Sequence, residues 1–167
     1  MKLIGITGAD KSGKTLTAQL LLAGATKLGI KAVHYEMSNL VLKEFAAQLG
    51  KSVEHIKEHK DDYREALIWW ANTYKKKLGN DEAYYARDMR LFIDRYSLRD
   101  CLVVASGLRF AVDATVIKDY NGVILEVIRQ HTEEPKEIRP DLILMNTSTI
   151  KSLEDRVNKL LKLMYDN

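Results

Sequence analysis

One cysteine, two prolines and no long apolar run set the first limits on this 167-residue chain. A lone Cys101 excludes an intrachain disulfide and fits a reducing compartment. Its setting in Cys101-Leu102-Val103-Val104 predicts a buried structural thiol rather than a nucleophile. With so little proline and no Gly- or Ser-rich stretch, nothing reads as a linker, and no internal repeat or low-complexity segment divides the chain. No segment approaches the ~20 apolar residues of a membrane span, and the amino terminus lacks a signal-peptide pattern. Neither sign of charge dominates. The 26 Lys and Arg against 23 Asp and Glu leave a net charge of +3, which suits small anions without the concentrated basic face that nucleic acid demands. The one basic run, Lys75-Lys76-Lys77, reads as a solvated helix end. These absences predict one cytoplasmic domain over 1–167 that binds neither nucleic acid nor membrane; a homodimer is compatible with them.

What the chain does contain is concentrated near its start. Gly8-Ala9-Asp10-Lys11-Ser12-Gly13-Lys14-Thr15 follows the apolar run Leu3-Ile4-Gly5-Ile6 and meets G-x-x-x-x-G-K-[ST] at every fixed position. Such a loop lets successive backbone N–H groups turn inward around phosphate oxygens, while the following helix adds its positive dipole end. All eight residues are therefore candidates to bind a nucleotide's phosphates. Lys14 would reach the β- and γ-phosphates, and the Thr15 hydroxyl would help to hold Mg²⁺, with ATP as the donor.

Further along, strand and helix signals alternate. Lys2–Thr7 reads as a buried strand. A helix with Leu16, Ala18, Leu20, Leu21 and Ala25 on its apolar side stops at Gly29, and Lys31–Tyr35 is a second strand. Helical periodicity fills the next sixty or so residues. Leu42, Phe45, Ala46 and Leu49 share a face before Gly50. Tyr63, Leu67, Trp70, Tyr74 and Leu78 recur down to Gly79-Asn80, and Asp81 can cap a helix carrying Tyr85, Met89, Phe92 and Tyr96. Cys101–Ala105, Gly122–Ile128 and Asp141–Met145 read as strands, with a helix over Val112–Asp119. A last helix capped by Thr149 carries Ile150, Leu153, Val157, Leu160, Leu161 and Met164. Apolar strands alternating with helices predict a three-layer α/β fold, a five-stranded parallel sheet covered on both faces with a helical insert at about 37–98. Sites in such sheets lie at the carboxyl ends of strands, which gathers the ends of the second, third and fourth around Lys14.

The phosphate loop, the insert and the carboxyl-terminal strands together resemble the P-loop nucleoside monophosphate kinases, most closely the phage-type deoxynucleoside monophosphate kinases. Val103–Phe110 resembles the family's third strand and arginine turn. Asp141–Thr147 is similar to its closing strand and Asn-containing turn, Tyr63–Leu67 to its arginine-bearing helix, and Lys43-Glu44 to a pair after the second strand. The resemblance implies ATP- and Mg²⁺-dependent phosphoryl transfer to a (deoxy)nucleoside monophosphate. Lys14, Arg109 and Arg129 would be catalytic, and Arg64, Arg109, Lys43 and Trp69 would bind the acceptor. Guanidinium groups suit that task because they grip phosphate in a bidentate fork. Arg109 would take the acceptor phosphate; Arg129 lies where relatives carry a lid, which here has only Gln130–Arg139 to form it. Of two adjacent tryptophans, Trp70 belongs to the apolar stripe and Trp69 is the candidate base platform.

One departure bears on chemistry. The family's third strand leads into an Asp that orients Mg²⁺, whereas Ser106-Gly107 here carries no charge. Asp113, Glu36 and Asp10 are candidate substitutes among which spacing does not choose. Two alternatives stand beside this reading: a kinase of the dephospho-coenzyme A type, whose family shares the start and much of the organisation, and a nucleotide-binding protein with little transfer, for which the uncharged Ser106-Gly107 is the motive. His55-Ile56-Lys57-Glu58-His59 also matches a zinc pattern, but without an evident third ligand it reads as an exposed helical turn.

Overall fold

The computed structural model of the chain describes residues 1–77, 83–129 and 137–166, and the side chains of 74–77 fall outside that description. The strands are β1 (Lys2–Thr7), β2 (Ala32–Glu36), β3 (Leu102–Ser106), β4 (Val123–Ile128) and β5 (Leu142–Met145). The helices are α1 (Lys14–Lys27), α2 (Met37–Gln48), α3 (Val53–Glu58), α4 (Lys60–Lys77), α5 (Tyr84–Asp94), α6 (Ala111–Asp119) and α7 (Ile150–Tyr165). All five strands run parallel in the order β2-β3-β1-β4-β5. The first strand of the chain is therefore the central one, with Ile4 between Val104 of β3 and Val123 of β4.

Side-chain alternation sorts the sheet's two faces. Ile4, Ile6, Leu102, Val104, Leu125 and Val127 pack on α1 and α7 through Ala18, Leu21, Ala25, Leu153, Val157 and Leu161. On the other face Leu3, Val103, Ala105 and Ile124 meet Met89, Ile93, Val116 and Ile117 of α5 and α6. The expected parallel sheet with helices on both faces is thus found. Cover fails only at the edge, where Leu144 is the one buried residue of β5 and Leu142, Ile143 and Met145 are exposed. Strands β2 and β3 end one residue later than composition suggests, on polar Glu36 and Ser106, because ladder pairing is a backbone property. Cys101 is a buried free thiol, as expected, though it precedes β3 rather than opening it.

Helices α2, α3 and α4 bury a small core of their own, Leu42, Phe45, Ala46, Ile56 and Leu67. Tyr63 and Trp70 lie edge-on to Phe45, at ring-centroid distances of 5.8 and 6.1 Å. Trp70 is half-buried and packs against this small core. Among the described residues, two members of the expected stripes leave the core: Leu49, one residue past α2, and Ile150, in the first turn of α7, are both exposed. Terminal turns project beyond the surface a helix packs on, so periodicity overstates burial there. The Thr149 hydroxyl caps α7 by accepting the Ser152 N–H at 3.2 Å. Leu78, Gly79-Asn80 and Asp81 lie outside the described residues. Among the described residues, no helix is long and apolar enough to cross a membrane.

Candidate active site

The loop between β1 and α1 is shaped by what fills the space beside its glycines. Gly8 sits at φ +140°, and a Cβ there would collide with the Val127 carbonyl oxygen and lie 2.9 Å from Ser12 Oγ. Gly13, at φ +105°, precedes α1, and the Asn146 amide occupies the place of its missing side chain. That amide donates to the Ser12 carbonyl at 2.8 Å, tying the loop to the residue after β5. Lys11 adds a left-handed residue at φ +62°. Alternation between right- and left-handed residues is what turns backbone N–H groups toward a common centre.

Lys14 Nζ folds back into the loop and donates to the carbonyls of Gly8 and Ala9, at 2.8 and 2.6 Å. Burial lowers its pKa; Asp10 opposes that, while Arg109 and Lys60 add to it. Ser12 Oγ is buried with no hydrogen-bond partner. The cradle, the ammonium and this hydroxyl form a donor set suited to phosphate oxygens. Thr15, exposed in the first turn of α1, offers the hydroxyl a Mg²⁺ would take. No group of three or more His, Cys, Asp or Glu among the described residues could hold a metal ion.

Two predicted arginines converge on this loop. Arg64 Nη2 of α4 pairs with Asp10 Oδ2, and Arg109 Nη2 reaches Asp10 Oδ1 at 3.2 Å. Residues 10, 64 and 109 thus meet from the loop, the insert and the turn after β3. That turn is braced by the Thr7 hydroxyl, which donates to the Leu108 carbonyl at 3.0 Å. Arg129 follows β4 and Arg109 follows β3, so in the strand order the two flank β1 and its loop. Arg139 lies elsewhere: two residues on, the Asp141 N–H donates to Ile124 at the start of β4, which puts Arg139 near the amino edge of the sheet. Of the short lid expected over Gln130–Arg139, residues 130–136 lie outside the described residues.

The other candidates separate. Trp69 is 61% exposed, but it is turned about 140° around α4 from Arg64, whose face carries Ile68 instead. Lys43 is exposed on α2, and its neighbour Glu44 accepts from the Tyr84 and Tyr85 hydroxyls at 2.7 and 3.1 Å. Asp113 does not replace the missing carboxylate. It is buried and accepts the N–H groups of Arg109 and Phe110 at 2.9 and 3.0 Å, which fixes the start of α6. Asp10 is engaged by the two arginines. Glu36 remains, its Cα paired with Ser106 in the ladder. Ser106 Oγ meets His34 Nε2 at 2.7 Å, and burial lowers the pKa of His34, with Glu36 opposing. The zinc-like pattern is a short helix in which the His55 and His59 rings stack at 4.5 Å.

Sequence reasoning placed Asn146 only within a resembling turn, not against the loop, and missed the His34–Ser106 contact. Asn146 alone carried a signal, since it directly follows a strand whose carboxyl end faces the loop.

No protein-family model matches the chain, and no curated protein sequence does. Solved structures do. The APS kinase of Mycobacterium tuberculosis in complex with AMPPNP and APS is 18% identical, over 96% of this chain and 97% of that one, with a TM-score of 0.61. A variant of the same enzyme is 21% identical over 96% of both chains, at 0.59. A sugar kinase from Janibacter is 12% identical over 97% of this chain and 95% of its own, at 0.53. At these identities the likeness is one of fold. The chain shares with these kinases an α/β fold, a five-stranded parallel sheet with helices on both faces.

Proposed function

We propose that the protein is an ATP-dependent phosphotransferase that converts a (deoxy)nucleoside monophosphate to the diphosphate. One observation carries the reading: Arg64 and Arg109 come together, from distant parts of the chain, on an anionic group beside Lys14. Two guanidiniums gripping a carboxylate can equally grip a phosphate. Phosphoryl transfer asks mainly for alignment and neutralisation of charge. The loop N–H groups and Lys14 would hold the donor's phosphates, and the Thr15 hydroxyl would help to hold a Mg²⁺, whose chemistry there would be neutralisation of phosphate charge. Arg64 and Arg109 hold the acceptor, and Arg129 closes on the transferring group from the β4 side. That the M. tuberculosis APS kinase structure holds AMPPNP together with APS supports a nucleotide donor beside a second substrate on this fold.

The uncharged end of β3 separates this reading from a dephospho-coenzyme A type of kinase. A hydroxyl acceptor needs a base, whereas a phosphate acceptor is already ionised at neutral pH. Ser106, bonded to His34, and Asp113, spent on α6, fit the second case. They also favour a second reading, a nucleotide-binding protein with little transfer.

A coupled assay over the full panel of (deoxy)nucleoside monophosphates, with dephospho-coenzyme A and APS included, tests all three. Turnover on one or more monophosphates, absent in Lys14→Ala, is expected. Arg109→Gln should raise the acceptor KM about 10- to 100-fold, the size of a lost charge-assisted pair, with little change in the ATP KM. No turnover above Lys14→Ala on any monophosphate would sink the kinase reading.

A further inference from the structure

We infer that Asp10 is an internal competitor for the acceptor, a carboxylate that occupies the Arg64–Arg109 pair until an incoming phosphate takes its place. This rests on reading that pair as the acceptor site. Both carboxylate oxygens are used, Oδ2 by Arg64 and Oδ1 by Arg109. Asp10 thereby presents to the two guanidiniums the same paired-oxygen edge that a phosphate monoester would present. All three side chains are about half exposed, at 47% for Asp10, 45% for Arg64 and 61% for Arg109. Solvent-exposed pairs of this kind are weak enough to be exchanged for a doubly charged ligand.

The position of Asp10 gives the exchange a consequence beyond competition. It lies in the donor's loop, whereas Arg64 belongs to the insert. In the state described here the contact therefore ties the insert to the loop. When a phosphate accepts both guanidiniums, Asp10 is released next to Lys14, whose charge it favours. Lys14 is itself held by loop carbonyls. Both halves of the site are thus filled by the protein's own charged groups, an amine in the cradle and a carboxylate in the fork.

The test is calorimetric titration of the (deoxy)nucleoside monophosphate panel into the full-length protein, with AMPPNP present, for wild type, Asp10→Asn, and Asp10→Asn combined with Arg64→Gln or Arg109→Gln. Asp10→Asn should tighten the binding of the monophosphate about three- to tenfold, the reach of two exposed pairs. The gain should vanish when either arginine is gone, because a competitor acts only through what it occupies. A gain that persists without the arginines would show general repulsion and overturn the proposal. So would unchanged or weaker binding in Asp10→Asn, since a contact of Asp10 with the acceptor's own hydroxyls predicts weakening. If the monophosphate binds wild type through both arginines and Asp10→Asn changes nothing, the competitor falls alone. If no monophosphate binds any of the proteins, the acceptor site falls and takes the competitor with it. Melting temperatures within a few degrees of wild type, together with a control measurement of AMPPNP affinity, keep misfolding out of the comparison.

Discussion

The two halves of the candidate site are built in opposite ways. The donor half is eight consecutive residues whose shape is held by backbone and by close steric fit, with Val127 behind Gly8 and Asn146 behind Gly13. The proposed acceptor half is two exposed side chains, Arg64 and Arg109, held on Asp10 of the loop by charge. A steric cradle tolerates almost no change, whereas an electrostatic fork tolerates change in proportion to screening. The first can be broken by one methyl group; the second can be weakened in steps.

The largest expected effect therefore comes from Gly8→Ala. Its Cβ meets a main-chain carbonyl, which cannot swing away, at a φ that side chains rarely adopt. We expect a loss of about 1–3 kcal/mol in stability and loss of measurable AMPPNP binding. Arg64→Gln should leave AMPPNP affinity within about twofold and stability within about 1 kcal/mol. Thermal melts and calorimetry on the two variants make the contrast direct, and equal damage from both would erase it. Next in size is Asn146→Ala, which deprives the Ser12 carbonyl of its donor. A cost of about 1–2 kcal/mol is expected, with weaker AMPPNP binding and an unchanged acceptor site. If acceptor affinity falls as far as donor affinity, the halves are not separate.

The smallest effect is a pH dependence within the donor half. Burial holds the folded-state pKa of Lys14 below the ordinary 10.5, so folding disfavours its charge. The penalty is fully present at low pH, where the amine is charged in both states. It fades as pH rises through the folded pKa toward 10.5. Wild type should thus gain stability relative to Lys14→Met across the alkaline range below 10.5, and bound AMPPNP should reverse the trend by favouring the ammonium. Parallel denaturant curves at several pH values would show it; a flat difference would mean that the amine is solvated.

The same contrast explains what could be read from residue order. The loop, the strand before it and the helix after it were legible because their physics is local: glycines at fixed spacing, an apolar run, a 3.6-residue period. The sheet was legible because β1, β3 and β4 are apolar on both faces. Arg64 and Arg109 were legible as residue types, but not their meeting on Asp10, since nothing in a spacing of tens of residues says which side chains converge. The zero-charge turn at Ser106-Gly107 was visible, while the fate of Asp113 was not, because a carboxylate one turn into a helix can serve either a metal or the helix start. Trp69 was exposed as expected of a platform, yet a residue's face on α4 relative to Arg64 matters more than its type.

The strand order carries one more consequence, for the timing of assembly. β1 precedes both of its sheet neighbours in the chain: Ile4 needs Val104 on one side and Val123 on the other, and Gly8 rests against Val127. Contacts so far apart along the chain form slowly, because loop closure must come before they contribute. A growing polypeptide thus carries its nucleotide motif unformed until β4 has been made. Nascent chains halted before Val123 should fail to bind immobilised ATP although they contain every residue from Gly8 to Thr15, and the completed chain should bind it. The motif is complete in sequence at Thr15 and becomes a site only once β4 is in place.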